Sequence, residues 1–280
     1  MQTHEDHANV QLPSHLAPFV NRLVGYRHEG LQPGTHLGLP AACLTLVISL
    51  GEPTRLIEMP DPSQAPGQFQ ALVGGLHTRP AVIAYEHSLH GIQLDLTPRG
   101  ARLLLGLPAA ELLGSVVSLE DVLGREADDL LERLHDALGF GECFRLVAQT
   151  LTRRIAGLRA PSDAVQQAWQ GIVDSGGRAR IAEVACAVGY SRRQLDVRFA
   201  AEYGLAPKQL ARVVRFESSH RLLRAQPGIT LAAAAVACGY YDQPHMVREW
   251  NALAGCPPSH WLTSEELPFI QDERTPGCPS

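Results

Sequence analysis

The sequence predicts an α+β protein. A β-rich N-terminal domain with a helical extension precedes an all-α domain, which consists of two helix-turn-helix units joined by a long helix. Three observations lead to this prediction. Short β-rich runs, separated by Pro and Gly, fill roughly the first hundred residues. After them, apolar residues recur at helical spacing. Within the helical part, a Gly-Tyr pair follows a short helical pattern twice, at 189–190 and at 239–240.

Length and composition are typical of a soluble protein with two domains. The 280 residues are 45% apolar and 19% charged, and no apolar run approaches the roughly 18 residues of a membrane span. The N-terminus has neither the basic start nor the apolar segment of a signal peptide. The six cysteines lack the spacing of a metal site, which favours reduced thiols. We therefore expect a cytoplasmic protein that does not bind membranes.

The N-terminal region divides into three predicted segments. Residues 1–12 are polar and predicted to be disordered. Residues 13–115 are predicted to form the β-rich regulatory domain, with five or six strands in runs such as CLTLVISLG and HGIQLDLTP. Residues 116–160 are predicted to be a helical extension, with helices at about Arg125–Leu138 and Glu142–Leu158. The apolar faces of these helices fit a dimer contact and internal packing equally well.

The helical domain is predicted to span residues 161–264. The turn-rich run GLRAPSD, at 157–163, marks its boundary, and a tail follows at 265–280. The first helix-turn-helix unit is expected at about 181–202 and the second at about 230–254. Between them, PKQLARVVRFESSHRLLRAQPG has the pattern of one long helix.

The two units are copies of one pattern. GYSRRQLDVRF begins at Gly189 and GYYDQPHMVREW at Gly239, an offset of 50. Beyond the tyrosines the copies match at an offset of 51, so that Phe199 corresponds to Trp250. The extra residue falls in the turn, where insertions are tolerated. Two helix-turn-helix units with this similarity predict a paired binding device.

A helical wheel at about 100° per residue separates core positions from free positions in the second helix of each unit. Leu195 and Phe199 face inward in the first unit, and Met246 and Trp250 face inward in the second. Opposite these core positions, or at their flanks, lie Arg192, Arg193, Gln194, Asp196, Val197, Arg198, Gln243, Pro244, His245, Val247 and Arg248.

The residue types on the free faces suit a DNA duplex. Arg can bond bidentately to a guanine edge and Gln to an adenine edge, whereas Asp can accept from cytosine. Arginines at the edges suit phosphates, and so do the backbone amides of a helix N-terminus. Ser191 and Gln194 are expected to form a capping box that fixes where the second helix of the first unit begins. Residues 177–263 carry eleven Lys/Arg against six Asp/Glu, and the remainder carries thirteen against twenty-three. A basic segment joined to an acidic one predicts double-stranded DNA as a partner.

The length of the connecting helix supports a paired arrangement. Lys208–Arg224 is 17 residues, roughly 26 Å of helix. When the width of the flanking units is added, the distance between the second helices of the two units comes close to the roughly 34 Å repeat of the duplex. One chain is therefore predicted to read two successive major grooves.

Three segments carry a family resemblance: IAEVACAVGYSRRQLDVRF, GLAPKQLARVVRFESSHRLL and GYYDQPHMVREWNALAGCPPSHWL. Together they cover about Asp163 to Leu262, which resembles the DNA-binding domain of the AraC/XylS family of transcriptional regulators. The sequence departs from the family at Ser219, where Ala is usual, and at Trp250, where Phe is usual. Val197 replaces a frequent Arg, and Leu262 stands where Arg is common.

The resemblance implies roles for individual residues. Those expected to read bases are Arg193, Asp196, Val197, Gln243, Pro244, Val247 and Arg248. From the helical wheel and the expected capping box, we expect Ser191, Arg192, Gln194, Arg198 and His245 at the DNA backbone or flanks.

The N-terminal runs LVGGLHTRP and LTPRGARLLLGLPAAELLG resemble an uncharacterised domain found in an actinobacterial subset of these regulators. By analogy with the family, this domain would sense a small-molecule effector or form a homodimer. RNA polymerase would be a partner if the protein is an activator. A regulator whose N-terminal domain only dimerises is an alternative.

An enzyme is the alternative of a different class, because eight of the twelve histidines lie before residue 91. It would be a metal-dependent or small-molecule-converting β-barrel enzyme with a DNA-binding appendage. Stoichiometric metal bound at these histidines would favour this alternative. His87 and His90 are three residues apart, a spacing that places them on opposite faces of a strand. We predict no catalytic residue, no metal ligand and no cofactor.

Overall fold

Two β-sheets, a helical layer and a separate group of helices make up the computed structural model, which describes residues 4–155 and 163–264. The predicted α+β fold class is confirmed. The strands are β1 (His4–Asn9), β2 (Val20–Glu29), β3 (Gly34–Gly38), β4 (Leu44–Ser49), β5 (Thr54–Glu58), β6 (Gly67–Phe69), β7 (Ala71–Gly74), β8 (Ala81–Tyr85), β9 (Ser88–Leu96) and β10 (Val116–Ser118). The helices are α1 (Pro98–Leu105), α2 (Leu119–Leu123), α3 (Arg125–His135), α4 (Phe140–Ile155), α5 (Ala164–Asp174), α6 (Ile181–Ala187), α7 (Arg192–Tyr203), α8 (Pro207–Ala225), α9 (Leu231–Ala237), α10 (Gln243–Ala254) and α11 (Pro258–Ser264), with a 3₁₀ turn at Ala109–Leu112.

The strands form two antiparallel sheets. A six-stranded sheet has the order β1-β2-β9-β4-β7-β10, and a four-stranded sheet has the order β3-β8-β5-β6. In β4, Leu44, Leu46 and Ile48 belong to the core shared with α1–α4, whereas Val47 packs with residues of the second sheet. The six-stranded sheet therefore lies between the second sheet and the helices, as the two-residue period of a strand allows.

A polar cluster is buried on the face of the large sheet that points towards the second sheet. Arg22 Nε donates to Asp95 Oδ2 at 2.9 Å, and Gln93 Nε2 donates to Asp95 Oδ1 at 2.9 Å. All three side chains are buried. Because a buried charge is costly unless it is paired, the Arg22–Asp95 bond favours the pairing of β2 with β9, while Gln93 satisfies the second oxygen of the carboxylate from the same strand.

Several N-terminal predictions are wrong in detail. His4–Asn9 was expected to be disordered but forms a strand paired with β2. The β-rich domain extends beyond residue 115, because β10 pairs with β7. Helix α3 ends at His135, short of the predicted end at Leu138, which is 92% exposed. These errors share one cause, since strand pairing and helix packing depend on partners distant in sequence.

Helix α8 is the centre of the C-terminal domain. It contacts α5, α7, α9 and α10, so both helix-turn-helix units pack on it. In the first unit, Trp169 of α5 stacks on Phe199 with ring centroids 5.8 Å apart. In the second, Phe216 of α8 meets Trp250 of α10 edge-on at 4.8 Å.

The two domains share buried contacts. Leu39 of the N-terminal domain belongs to the apolar cluster of α8 and α10. The Ala42 N–H donates to Glu217 Oε2 of α8 at 3.2 Å. At the C-terminal end of α7, Gly204 lies against the side chain of Leu113, where a Cβ would come within 2.9 Å of it. These contacts do not cover the outward face of the N-terminal half of α7, where Arg192, Arg193 and Val197 are exposed.

Three further predictions concern the domain boundary, the cysteines and membrane spans. Asp163 caps α5, and the rest of the predicted boundary GLRAPSD lies outside the described residues, as does the tail 265–280. Cys43, Cys143, Cys186 and Cys238 are free thiols. Within residues 4–155 and 163–264, every helix is too short or too polar to cross a membrane.

Two departures from the family pattern form a pair in the core. Trp250 Nε1 donates to Ser219 Oγ at 2.9 Å, and Ser219 Oγ in turn donates to the Phe216 carbonyl at 2.7 Å. Trp250 and Ser219 are both fully buried. A buried indole N–H needs an acceptor, which the usual Ala at position 219 could not supply.

We predict that Ser219→Ala lowers the free energy of unfolding by about 1–3 kcal/mol, because it leaves the indole N–H unsatisfied. Trp250→Phe should cost less in the Ser219→Ala background than in the natural protein. Urea unfolding followed by circular dichroism measures both effects. Additive losses from the two substitutions would contradict the pairing.

Candidate DNA-binding surface

The Gly-Tyr turns of the two units have the same backbone geometry. Gly189 and Gly239 adopt φ of 74° and 77°, a left-handed conformation that favours glycine. The Tyr190 N–H donates to the Ala185 carbonyl at 2.9 Å, and the Tyr240 N–H donates to the Ala235 carbonyl at 2.9 Å. This closure ends α6 and α9 in the same way. The repeated Gly-Tyr is therefore a repeated helix stop that sets the direction of the next helix.

A capping box begins α7 at the position that the sequence predicts. The Ser191 N–H donates to Gln194 Oε1 at 2.9 Å, and the Gln194 N–H donates to Ser191 Oγ at 3.3 Å. Because its Oε1 is used in this cap, Gln194 offers DNA chiefly its side-chain nitrogen.

The exposed face of α7 carries most of its predicted contact residues. Leu195 and Phe199 are fully buried. Arg192 and Arg193 are exposed, Val197 is 64% exposed, and Asp196, which lies beside Val197, is half-buried. The remaining predicted residue, Arg198, is exposed and stacks over the Tyr190 ring, with Cζ 5.2 Å from the centroid. The outward surface of α7 is thus basic around one apolar residue.

Helix α10 presents a smaller set of side chains. Met246 and Trp250 are fully buried. Gln243, Pro244 and Arg248 are exposed, and Val247 is half-buried. Asp242 caps this helix by accepting the His245 N–H at 2.7 Å.

His245 packs within the unit. Its Nδ1 accepts the Tyr241 N–H at 3.3 Å, and its ring lies edge-on to Tyr240 with centroids 5.5 Å apart. Its Nε2 lies 3.8 Å from Glu249. These contacts give His245 a role in holding the turn, beside the flanking role that the sequence predicts.

Glu249 joins α10 to α8. Its carboxylate is almost buried and lies 2.6 Å from Arg212 Nε and 3.7 Å from Arg215 Nη2. Arg215 also donates to the Gly177 carbonyl, just before the first unit, at 2.6 Å. One buried carboxylate and two arginines therefore hold the second reading helix on the helix that carries the first.

Two exposed apolar residues of the second unit were not among the predicted contacts. Tyr241 is 91% exposed and Val236 is 73% exposed. Tyr241 lies in the turn where the repeat offset changes from 50 to 51, between buried Tyr240 and the capping residue Asp242. That change of offset is the sequence signal that could have identified it.

One group of side chains in the described residues could hold a metal ion. Glu5, His7 and His28 place one ligand atom each within 4.8 Å of one another. The prediction of no metal ligand rests on the spacing of the histidines along the chain, whereas the pairing of β1 with β2 brings together residues that are distant in sequence.

Residues 179–264 match a helix-turn-helix domain of the AraC type. The chain therefore carries a DNA-binding domain of this type. Residues 9–118 match a domain of unknown function, DUF6597. The predicted resemblance to AraC-type regulators, with an uncharacterised N-terminal domain, is therefore confirmed, and the chain is a DNA-binding transcriptional regulator.

Solved structures of ToxT from Vibrio cholerae are similar in fold. An apo ToxT variant has a TM-score of 0.51 at 11% identity, covering 86% of this chain and 96% of that chain. ToxT bound to (E)-4-(8-methylnaphthalen-1-yl)but-3-enoic acid has a TM-score of 0.50 at 11% identity, covering 94% of this chain and 98% of that chain. A search of curated proteins found no match.

The Glu249 contacts generate a stability prediction for this AraC-type domain. Glu249→Gln should lower the free energy of unfolding by about 3 kcal/mol, since it leaves two arginines without their carboxylate. Urea unfolding measures the loss. Glu183→Gln is the matched control, because its ion pair with Arg180 is exposed and should contribute little. Equal effects of the two substitutions would contradict a special role for Glu249.

Proposed function

We propose that this regulator binds one DNA duplex with α7 and α10 in two successive major grooves. The observation that carries the proposal is the docking of both units on α8. Its 19 residues span about 28 Å. Added to the width of the units, this length is close to the roughly 34 Å duplex repeat. A rigid spacer of this kind favours simultaneous contact with two grooves.

The exposed residues divide into two kinds of contact. Arg193 and Arg248 project from the outward faces of α7 and α10, where a bidentate bond to guanine is feasible. Arg192 lies at the first turn of α7, a position that suits a phosphate contact. Tyr241 adds a phenol at the start of α10, which also suits phosphate. Val197 and Pro244 offer apolar contact, for instance to a thymine methyl.

We further propose that the protein is a cytoplasmic one-component regulator controlled by an amphipathic acid. A groove of about 750 Å³ lies between the segment after β1 and helix α4. Leu12, Leu23 and Phe144 supply apolar walls, and Arg133 and Arg153 stand at its polar side. An apolar pocket with a few charged groups is typical of small-molecule sites. ToxT has been crystallised with a naphthalenyl butenoic acid, a compound of this chemistry.

The contacts between the domains offer a route for such control. Leu39 and Ala42 follow β3 and meet α8, the helix that carries both reading units. A ligand that shifts the N-terminal domain would therefore change the distance between α7 and α10 or their mobility. Such coupling requires that the ligand binds the two states with different affinity.

Homodimer formation and contact with RNA polymerase remain further proposals. The apolar faces of α3 and α4 lie in the core, with Leu130, Leu134, Val147 and Leu151 buried. A dimer contact through 116–160 would therefore use the outer, more polar faces of these helices.

We predict that Arg193→Ala and Arg248→Ala each weaken binding to a selected DNA site by about 1–3 kcal/mol and relax base preference at one position. Arg192→Ala should instead weaken binding to all sequences and reduce the salt slope by about one. Fluorescence anisotropy across a series of salt concentrations measures these effects.

Arg125→Ala is a control for the loss of one exposed arginine, because Arg125 begins α3 in the N-terminal domain. It should leave DNA binding unchanged. Full binding of the selected site by the Arg193 and Arg248 variants would contradict the groove assignment.

For the groove, we predict that long-chain fatty acids or aromatic butenoic acids raise the melting temperature by about 5 °C or more at a hundredfold excess over Kd. Arg133→Gln and Arg153→Gln should each reduce this shift, whereas Arg125→Gln should leave it intact. Differential scanning fluorimetry measures it. An unchanged shift in both groove variants would argue against an acid bound there.

A further inference from the structure

Glu5, His7 and His28 lie on one face of the β1–β2 pair. Glu5 is directly opposite His28, and His7 is directly opposite Tyr26. Residues two apart on a strand share a face, so Glu5 and His7 point the same way. This face continues along β2 and β9 into the buried cluster of Arg22 and Asp95. The three side chains therefore stand at the edge of the space between the two sheets.

His28 has a buried ring nitrogen that lacks a hydrogen bond at this position. Its side chain is only 1% exposed, and its Nδ1 makes no hydrogen bond. The carboxylate of Glu5 is the ion-pair partner of Nδ1, but Oε1 lies 3.9 Å away, beyond hydrogen-bond distance. The His7 ring meets the His28 ring edge-on, with centroids 4.8 Å apart. A buried nitrogen without a bond is costly, and an ion between these groups would satisfy it.

The donor set selects a class of ion. Two imidazoles and one carboxylate suit Zn²⁺ and neighbouring transition metals, whereas Mg²⁺ and Ca²⁺ prefer oxygen ligands only. Ligand atoms around tetrahedral Zn²⁺ are roughly 3.3 Å apart. The three ligand atoms now lie within 4.8 Å of one another, so binding requires small side-chain rotations, for which Glu5 has room because its side chain is 47% exposed.

We propose that Glu5, His7 and His28 bind one divalent transition-metal ion of the zinc class. Three protein ligands leave a fourth position open to water or another donor. Two of the ligands come from β1, the edge strand of the large sheet, and the third comes from its neighbour β2. The ion therefore fastens the N-terminal strand to the sheet.

This fastening has a consequence for the proposed effector groove. β1 ends at Asn9, and the residues that follow, Val10 to Pro13, form one wall of the groove. The ion would hold that wall in place and so couple metal binding to effector binding. The metal site itself rests on the β1–β2 geometry and stands or falls independently of the groove. A bound metal ion at this site would therefore not by itself favour the enzyme alternative over a regulator.

Isothermal titration calorimetry tests the proposal on the full chain, with any affinity tag removed and the protein first dialysed against a chelator. Zinc sulfate should bind at one ion per chain, and magnesium chloride should give no saturable heat. Glu5→Gln and His7→Ala should each weaken zinc binding at least about tenfold. Co²⁺ should give visible absorption bands in the natural protein that these variants lose.

The matched control is Asp6→Asn, which removes a carboxylate from the same strand but on the opposite face. It should bind zinc as the natural protein does. His135→Ala controls for an exposed histidine elsewhere, at the end of α3. Absence of saturable zinc binding in the natural protein would overturn the proposal, and so would zinc affinity retained in both Glu5→Gln and His7→Ala.

Discussion

The packing of both helix-turn-helix units on α8 is the constraint on which the rest of the structure depends. A reading helix can meet a groove only if its position is fixed, and neither α7 nor α10 could bury its apolar face alone. On α8, Phe216 packs against Trp250, and Arg212 binds Glu249. The first unit completes its core with Trp169 of α5. The exposed faces of both units are then free to vary without loss of the scaffold.

The same helix also meets the N-terminal domain. Glu217 accepts the Ala42 N–H, and Leu39 joins the apolar cluster of the second unit. Leu113 also packs on Gly204, at the end of α7. The groove beside α4 and the metal-ligating cluster on β1 both lie in the domain that makes these contacts. Regulation by ligand, as proposed, would therefore act through the helix that sets the reading geometry.

The C-terminal domain could be predicted from sequence because its signals are local. Helical spacing, the capping residue Ser191 and the repeated Gly-Tyr stop each act within a few residues. The pairing of Ser219 with Trp250 was visible only as two separate departures from the family, because the residues are distant in sequence. The strand β1 was missed for the same reason, since its polar sequence is ordered by its pairing with β2. The wheel predicts a flanking role for His245 but not its contact with the turn, because the wheel does not include the Tyr241 N–H that its ring accepts.

The central claim is that one chain holds two reading helices at the spacing of successive grooves. The most direct measurement is the affinity for a selected DNA site before and after insertion of about half a helical turn, roughly five base pairs, between its two halves. Such an insertion moves one half-site to the opposite side of the duplex. The account predicts that affinity falls to the level of a single half-site and stays there when roughly ten base pairs are inserted, because a rigid α8 cannot span a second duplex repeat. Affinity unchanged by the half-turn insertion would contradict it.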